Sequence, residues 1–305
     1  MTDGAMLKSP FKWAGGKSRI AKEIDGMFPD DFRSHPCDYV YVEPFVGGGS
    51  MLFYMLQNYE LKGSVICDLN KDLINAYMMI KYDADGLVQE LRRLEDEYFL
   101  KPDGERMQVF LKYRKMFNEE KASLELFRPV EWAACFMFLN RTCFNGLWRV
   151  NSEGLYNVPF GKYANPTICD EEKIRGLSEL LKDTVILWGS YESARDAAFA
   201  MSARTVWYFD PPYRDTFTGY TGGGFDDADQ VALAGFVRGI SDDGAAFAYS
   251  NSYSEDGFFQ GLFEGYEQKR ITAMRAINPK RDRSASEILI GNKNVYGNVH
   301  QGKSS

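Results

Sequence analysis

The chain has 305 residues, 45% of them hydrophobic and 15% aromatic, with 36 basic against 43 acidic side chains and a formal net charge of -7. That length and apolar content describe a globular protein with a sizeable core, in one large domain or two modest ones. No apolar stretch approaches the roughly 20 residues that span a bilayer, and the opening MTDGAMLKSP lacks the apolar core of a signal peptide, so a cytosolic protein is expected.

Two further exclusions come from residue types. The five cysteines, Cys37, Cys67, Cys135, Cys143 and Cys169, show no Cys-x-x-Cys spacing, so neither a zinc site nor a disulfide framework is indicated. His35 and His300 are the only histidines, both in segments with loop or tail character. A Ser-His-Asp triad or a histidine-ligated metal is therefore not expected.

In chain order, the first informative segment is PFKWAGGKSRI, Pro10 to Ile20. A nucleotide phosphate loop requires a glycine where Phe11 stands, so the Gly-Lys-Ser at its centre is not one. What remains is an aromatic run into Gly15 and Gly16, then Lys17, whose ammonium can meet another anion. Residues 39–46, YVYVEPFV, have the pattern of a buried strand that runs into Gly47-Gly48-Gly49-Ser50 and an apolar helical stretch, MLFYML. The loop is not the dinucleotide fingerprint, because Leu52 occupies the place of its third glycine. It fits acid-x-Phe-x-Gly-x-Gly, in which glycines let the backbone approach a ligand.

SVICD is a second strand ending at Asp68, with a helix expected from Asn70 to about Tyr82. Asp68 is placed either to accept from a ribose diol or to cap that helix. Between about residues 82 and 183 the chain turns to charged helices, an apolar helix around EWAACFMFLN, and the loop-rich RTCFNGLWRVNSEGLYNVPFGKY. Strands return as TVILW, TVWYFD and GAAFAYSN, and YEQKRITA with EILIGNK form a closing hairpin. Strands alternating with helices at both ends predict an α/β fold. Its sheet is open and mostly parallel, flanked by helices and interrupted by a helical insert, with ligands at the carboxyl ends of the strands.

DPPY, Asp210 to Tyr213, follows the strand TVWYF. Two prolines remove two backbone donors and leave the Pro211 carbonyl as an acceptor beside the Asp210 carboxylate. This pair can hold both hydrogens of an amino group, and Tyr213 offers a face for a planar base. The plainer alternative is a Pro-Pro turn, with the aspartate capping a helix and the tyrosine in the core. Position at a strand end, downstream of EPFVGGG, favours the amino-group site.

FKWAGGK, EPFVGGGS, NRTCFNGLWRVNSEGLYNVPFGKY, DPPY and RAINPKRDRSASEILIGN occur here in the order found in the Dam-type DNA adenine-N6 methyltransferases, which the chain resembles over nearly its whole length. The resemblance implies S-adenosylmethionine as cofactor, with S-adenosylhomocysteine as product. It implies a methyltransferase-type sheet made of residues 1–81 and 184–305, and a target-recognition insert of residues 82–183. Trp13, Lys17, Glu43, Phe45, Gly47, Asp68 and Asp210 become the cofactor set, with Trp13 packing on it, Lys17 on the methionine carboxylate and Asp68 on the ribose hydroxyls. Asp210, Pro211, Pro212 and Tyr213 become the catalytic tetrad.

Double-stranded DNA is the implied partner, with an adenine flipped out of the duplex. Phe144 is expected as the aromatic wedge, Asn145 as a phosphate or orphan-base partner, and Leu147 and Arg149 as readers of GATC. Lys12, Pro159 and Tyr163 lie on the same surface by this resemblance. Lys269, Arg270, Arg275, Lys280, Arg281 and Arg283 make a late basic stretch that suits phosphate contacts despite the acidic total. Pro36-Cys37 suggests cytosine carbon-5 chemistry, but it precedes the glycine loop and DPPY holds the catalytic place, so Cys37 is read as structural. Two other readings stay open at this level: an amino-methyltransferase acting on RNA adenine or a protein glutamine, and a non-enzymatic DNA-binding regulator. Asp210 at the head of the tetrad and Trp13 upstream disfavour the former, and the intact Lys17, Glu43, Asp68 and Asp210 disfavour the latter.

Overall fold

A computed structural model describes residues 6–120, 130–214, 225–274 and 284–293. Two short helices, α1 (Ala21–Asp25) and α2 (Asp30–Ser34), lead into β1 (Tyr39–Glu43). Every residue of β1 is buried, as expected of a strand covered on both faces. The glycine loop then opens α3 (Ser50–Asn58), and β2 (Gly63–Asp68) is followed by α4 (Lys71–Tyr82).

Asn70 caps α4, its Oδ1 accepting from the N–H groups of Asp72 and Leu73 at 3.1 Å each. The cap is therefore Asn70, and the Asp68 carboxylate lies before it at the strand end. Next come α5 (Ala84–Phe99), α6 (Arg106–Glu120), α7 (Val130–Thr142) and α8 (Glu171–Leu180). The chain returns to the sheet with β3 (Thr184–Trp188), α9 (Ser193–Ala200), β4 (Arg204–Phe209), α10 (Asp227–Asp242), β5 (Ala246–Ser252), α11 (Phe258–Leu262), β6 (Glu267–Met274) and β7 (Ser284–Gly291).

Among the described residues, the strands pair in the order β3-β2-β1-β4-β5-β7-β6. The first five are parallel and β7 runs antiparallel to both its neighbours. The order reverses between β1 and β4, where Val42 faces Trp207 in register. Connections leave this point in opposite directions, opening a crevice beyond the carboxyl ends of β1 and β4. Lys269 and Arg270 of the basic stretch lie on β6, whereas Arg275, Lys280, Arg281 and Arg283 are outside the described residues. So is His300. Cys37 is exposed in the turn entering β1, at the amino end of that strand and so at the opposite end from that crevice.

Alternation along β1 separates two cores. Tyr39 and Tyr41 join a core built with α3, α4, α5, α6, α7 and α8, while Val40 and Val42 join a second one with α9, α10 and Phe259 of α11. Within the first layer α7 is buried from Trp132 to Asn140, which is why its sequence is apolar all round and not on one stripe. No helix of the described residues is long and apolar enough to cross a membrane.

Trp148, given no role by the sequence, packs in this first core with its ring 4.5 Å from Phe136 and 4.6 Å from Tyr156. It ties the loop after α7 to the helical layer. Trp148→Ala should lower unfolding free energy by about 3–5 kcal/mol, the usual cost of an emptied aromatic site. Denaturant melts with an unchanged midpoint would refute this anchoring.

Candidate active site

Lys17 is the centre of the crevice. Its Nζ lies 2.7 Å from Asp210 Oδ2 and donates to the Gly15 carbonyl at 3.0 Å, with the side chain 4% exposed. Gly15 has φ of 81°, a left-handed turn that glycine adopts without strain, and this turn lets the lysine fold back on its own loop. The Lys17 N–H donates to Ser50 Oγ at 2.9 Å, fastening the segment to the first turn of α3. Lys17 Nζ also sits 4.8 Å from the centre of the Tyr213 ring. An ammonium has three donors, and among the described residues two are used, so one is left.

The glycine loop lies against Trp13: a Cβ added at Gly48 would come within 2.7 Å of Trp13 Cβ. Tyr77 donates to the Gly47 carbonyl at 2.9 Å, and the Gly47 N–H donates to Asp68 Oδ2 at 3.0 Å. Asp68 Oδ1 accepts from the Asn70 N–H at 2.9 Å. With the Leu69 N–H also turned toward it, this carboxylate keeps an acceptor position beyond those that the Gly47 and Asn70 N–H groups fill. Burial raises the Asp68 pKa, against the lowering effect of the Asn70, Gly47 and Leu69 N–H groups. Phe45 packs beside Tyr191 and edge-on to Phe225, with ring centres 5.8 Å and 6.1 Å away.

Glu43 is buried at the end of β1 and accepts from the Tyr41 hydroxyl at 2.8 Å. Burial holds its carboxyl well above the usual pKa; the Asp210 charge adds to the rise, and Tyr41, the Leu52 N–H and Lys17 oppose it. Asp210 follows β4 directly. Its Oδ1 accepts from Ser250 Oγ at 3.1 Å, and Ser250 Oγ lies 2.8 Å from the Tyr208 hydroxyl. Helix α10, the next helix among the described residues, is capped by Asp226 in a reciprocal box with Asp229 and not by Asp210. Among the described residues the Pro212 carbonyl is taken by Gln230 Nε2 at 2.9 Å, and no hydrogen bond reaches the Pro211 carbonyl.

Sequence reasoning missed Ser250, Tyr208 and Gln230. One signal for Ser250 was available: GAAFAYSN turns from apolar to polar at its end, and the register Phe209 to Tyr249 puts Ser250 next to Asp210.

A second group of residues gathers on the loop after α7. Buried Asn140 accepts from the Lys12 N–H at 2.9 Å and donates to the Lys12 carbonyl at 2.8 Å and the Gly146 carbonyl at 3.1 Å. This amide welds the FKWAGGK segment to the loop. Lys12 Nζ lies 4.0 Å over the Tyr163 ring, and the Asn145 N–H donates to the Tyr163 hydroxyl at 3.0 Å. Burial and the nearby Arg141 guanidinium lower the Lys12 pKa. Phe144 is 49% exposed, and its N–H donates to the Pro159 carbonyl at 2.8 Å. Leu147 is half-buried, Trp148 points into the core and Arg149 is exposed, its Nε donating to Asn157 Oδ1 at 2.8 Å. Lys12, Phe144, Asn145, Pro159 and Tyr163 are thus joined to one another, with Leu147 and Arg149 on the adjoining strand-like stretch.

A carboxyl whose pKa is raised by folding contributes stability that is complete below its unfolded value and is lost as pH rises through its folded value. Wild type should therefore lose stability as pH climbs above the ordinary glutamate range, and Glu43→Gln should remove that part of the loss. Urea unfolding between about pH 5 and about pH 9 measures it; equal pH slopes in the two proteins would count against a neutral buried Glu43.

The chain matches the family of D12 class N6 adenine-specific DNA methyltransferases over residues 13–277. It is 42% identical over 296 residues to the type II methyltransferase M.MjaIII of Methanocaldococcus jannaschii, covering 94% of this chain and 100% of that protein. It is 31% identical over 288 residues to the DNA adenine methylase of Haemophilus influenzae, covering 92% of each. With the DNA adenine methylase of Serratia marcescens it shares 34% identity over 236 residues, 75% of this chain and 77% of that one. A match along most of the chain, joined to the tetrad at the switch point of the sheet, makes this protein a member of the D12 class N6 adenine-specific DNA methyltransferases.

Proposed function

We propose that this chain transfers a methyl group from S-adenosylmethionine to the exocyclic amino group of an adenine flipped out of duplex DNA, within GATC. The observation that carries the reading is the convergence of Asp210, the open Pro211 carbonyl, Tyr213 and Lys17 at the point where the strand order reverses. The crevice fits the cofactor: Trp13 against the glycine loop, a donor left on Lys17, and an acceptor position left on Asp68 for the ribose diol. When bound, S-adenosylmethionine supplies an electrophilic sulfonium methyl group.

The protein's share is positioning and electrostatics. Asp210 and the Pro211 carbonyl each accept one hydrogen of the amino group, which draws its nitrogen lone pair out of conjugation with the ring. Ser250 and Lys17 keep the Asp210 carboxylate from rotating, one on each oxygen. Tyr213 stacks on the base, an interaction worth roughly 1–3 kcal/mol, which helps offset the few kcal/mol of unstacking.

Residues 82–183 supply recognition in this reading. Phe144, exposed on the loop that Asn140 and Trp148 hold rigid, fills the gap left by the flipped base. Arg149 reads a guanine edge through two hydrogen bonds, Leu147 meets a thymine methyl, and Asn145, Lys12, Pro159 and Tyr163 lie along the duplex.

Asp210→Ala should reduce turnover about a hundred- to a thousandfold in a folded protein, because it removes an acceptor for the reacting group and the partner of Lys17. Transfer of a tritiated methyl group to duplex DNA, RNA and protein measures this and the substrate class together; a rate near wild type would remove Asp210 from the chemistry. Arg149→Ala should lose about 1–3 kcal/mol of discrimination and methylate sites altered at one outer base pair of GATC. Methylome mapping that finds another recognition sequence, or full fidelity in the variant, would overturn the assignment of this loop.

A further inference from the structure

Resting on the reading of DPPY as the amino-group site, we propose that Gln230, Tyr249 and Asn251 are positioning residues that set the Pro-Pro-Tyr turn for methyl transfer. All three are buried, with exposures of 1%, 1% and 0%. They form a hydrogen-bonded circuit that begins and ends on the two peptide groups flanking Tyr213. The Arg214 N–H donates to Asn251 Oδ1 at 3.3 Å, and Asn251 Nδ2 donates to the Tyr249 hydroxyl at 3.2 Å. That hydroxyl donates to Gln230 Oε1 at 2.9 Å, and Gln230 Nε2 donates to the Pro212 carbonyl at 2.9 Å.

Within the circuit the bonds all run in the same sense, each side chain taking one from the member before it and giving one to the member after, and Asn251 Oδ1 also accepts from the Ser252 N–H at 2.8 Å and the Ser252 hydroxyl at 3.3 Å. This arrangement lets the bonds polarise one another and fixes both amide orientations, since a reversed Gln230 would set its carbonyl against that of Pro212. The circuit does two things for the site. It occupies the Pro212 carbonyl, so that the adjacent Pro211 carbonyl is the acceptor left facing the amino group. It also fixes the backbone on either side of Tyr213, and hence the plane on which a base stacks. Arg214 extends the anchoring: both Asp227 oxygens accept from its guanidinium, at 2.7 Å and 2.8 Å, and it lies 4.0 Å over the Phe258 ring.

None of the three side chains is assigned to cofactor or substrate, so their loss should act on turnover through the turn alone. Two variants of the full chain test this, with unmethylated genomic DNA as methyl acceptor so that no recognition sequence is assumed. Tyr249→Phe keeps the ring packing but breaks the circuit, leaving Gln230 Oε1 and Asn251 Nδ2 without their mutual bridge. Gln230→Glu keeps the shape, but its ionised form sets an acceptor against the Pro212 carbonyl, while its neutral form can donate to it.

Each variant should lose about ten- to a hundredfold in kcat, with S-adenosylmethionine affinity held within about twofold of wild type. In Gln230→Glu the ratio of variant to wild-type kcat should rise as pH falls, because protonation restores the missing donor. A pH-independent ratio, or cofactor affinity that falls in step with kcat, would overturn the positioning role. Asp210→Ala serves as the control. If it stays active, the site reading itself fails; if it is inactive while Gln230→Glu and Tyr249→Phe turn over normally, only the circuit is rejected.

Discussion

The ion pair between Lys17 and Asp210 is the interaction on which the site depends. It joins two segments 193 positions apart, one before the first strand and one after the fourth, at a distance of 2.7 Å. Both charges are largely removed from water, which costs free energy that their attraction offsets only if the geometry is held and the other donors and acceptors are filled. Those conditions explain the surrounding residues. Gly15 accepts from the ammonium, Ser250 donates to the carboxylate, and Ser50 holds the lysine backbone. Removing either charge would leave the other buried without its counterpart, so the pair is a constraint on the crevice as well as a source of the groups proposed to bind there.

The same pair links the two faces of function. The segment carrying Lys17 also carries Lys12, and Asn140 binds Lys12 through both of its backbone groups. Residues 12 to 17 are thus fastened at one end to the loop proposed to read DNA and at the other to the carboxylate proposed to hold the amino group. A six-residue stretch spans the distance between recognition and chemistry, and its aromatic member, Trp13, lies on the glycine loop between them. The acidic total charge is compatible with this arrangement, because what meets a phosphate backbone is the local face and not the sum over the molecule.

Much of this architecture was legible in local sequence. Buried strands announce themselves by apolar runs, so YVYVEPFV, SVICD, TVWYFD and the closing hairpin fall within about three residues of β1, β2, β4, β6 and β7, the largest differences being the end of β1 at Glu43 and the start of β7 at Ser284. EPFVGGG and DPPY were legible because glycine and proline restrict or free the backbone in ways few positions need. The less specific neighbours were not legible. Ser250, Tyr249 and Gln230 are ordinary residues in a strand and a helix, and only the pairing of β5 with β4 and the packing of α10 on that sheet bring them to the turn. Trp148 is the converse: in a loop of candidate DNA readers its residue type invites a role at the surface, while packing on Phe136 and Tyr156 makes it an anchor.

What the sequence by itself determined was the strands, the helices that follow β1 and β2 and those of α5 to α7, the glycine and Pro-Pro turns, and the chemical groups available, since each follows from backbone restriction and apolar periodicity over a few neighbouring residues. Only the tertiary structure decided which residues cap the helices that follow β2 and the Pro-Pro turn among the described residues. Asp68 and Asp210 could each have been helix caps, and Asn70 and Asp226 fill those places instead. It also decided which proline carbonyl is bonded among the described residues, because Gln230 reaches across from α10 to occupy that of Pro212. The physical reason is that a buried polar group is defined by its partners, and those partners come from segments far apart in sequence whose meeting no local pattern records.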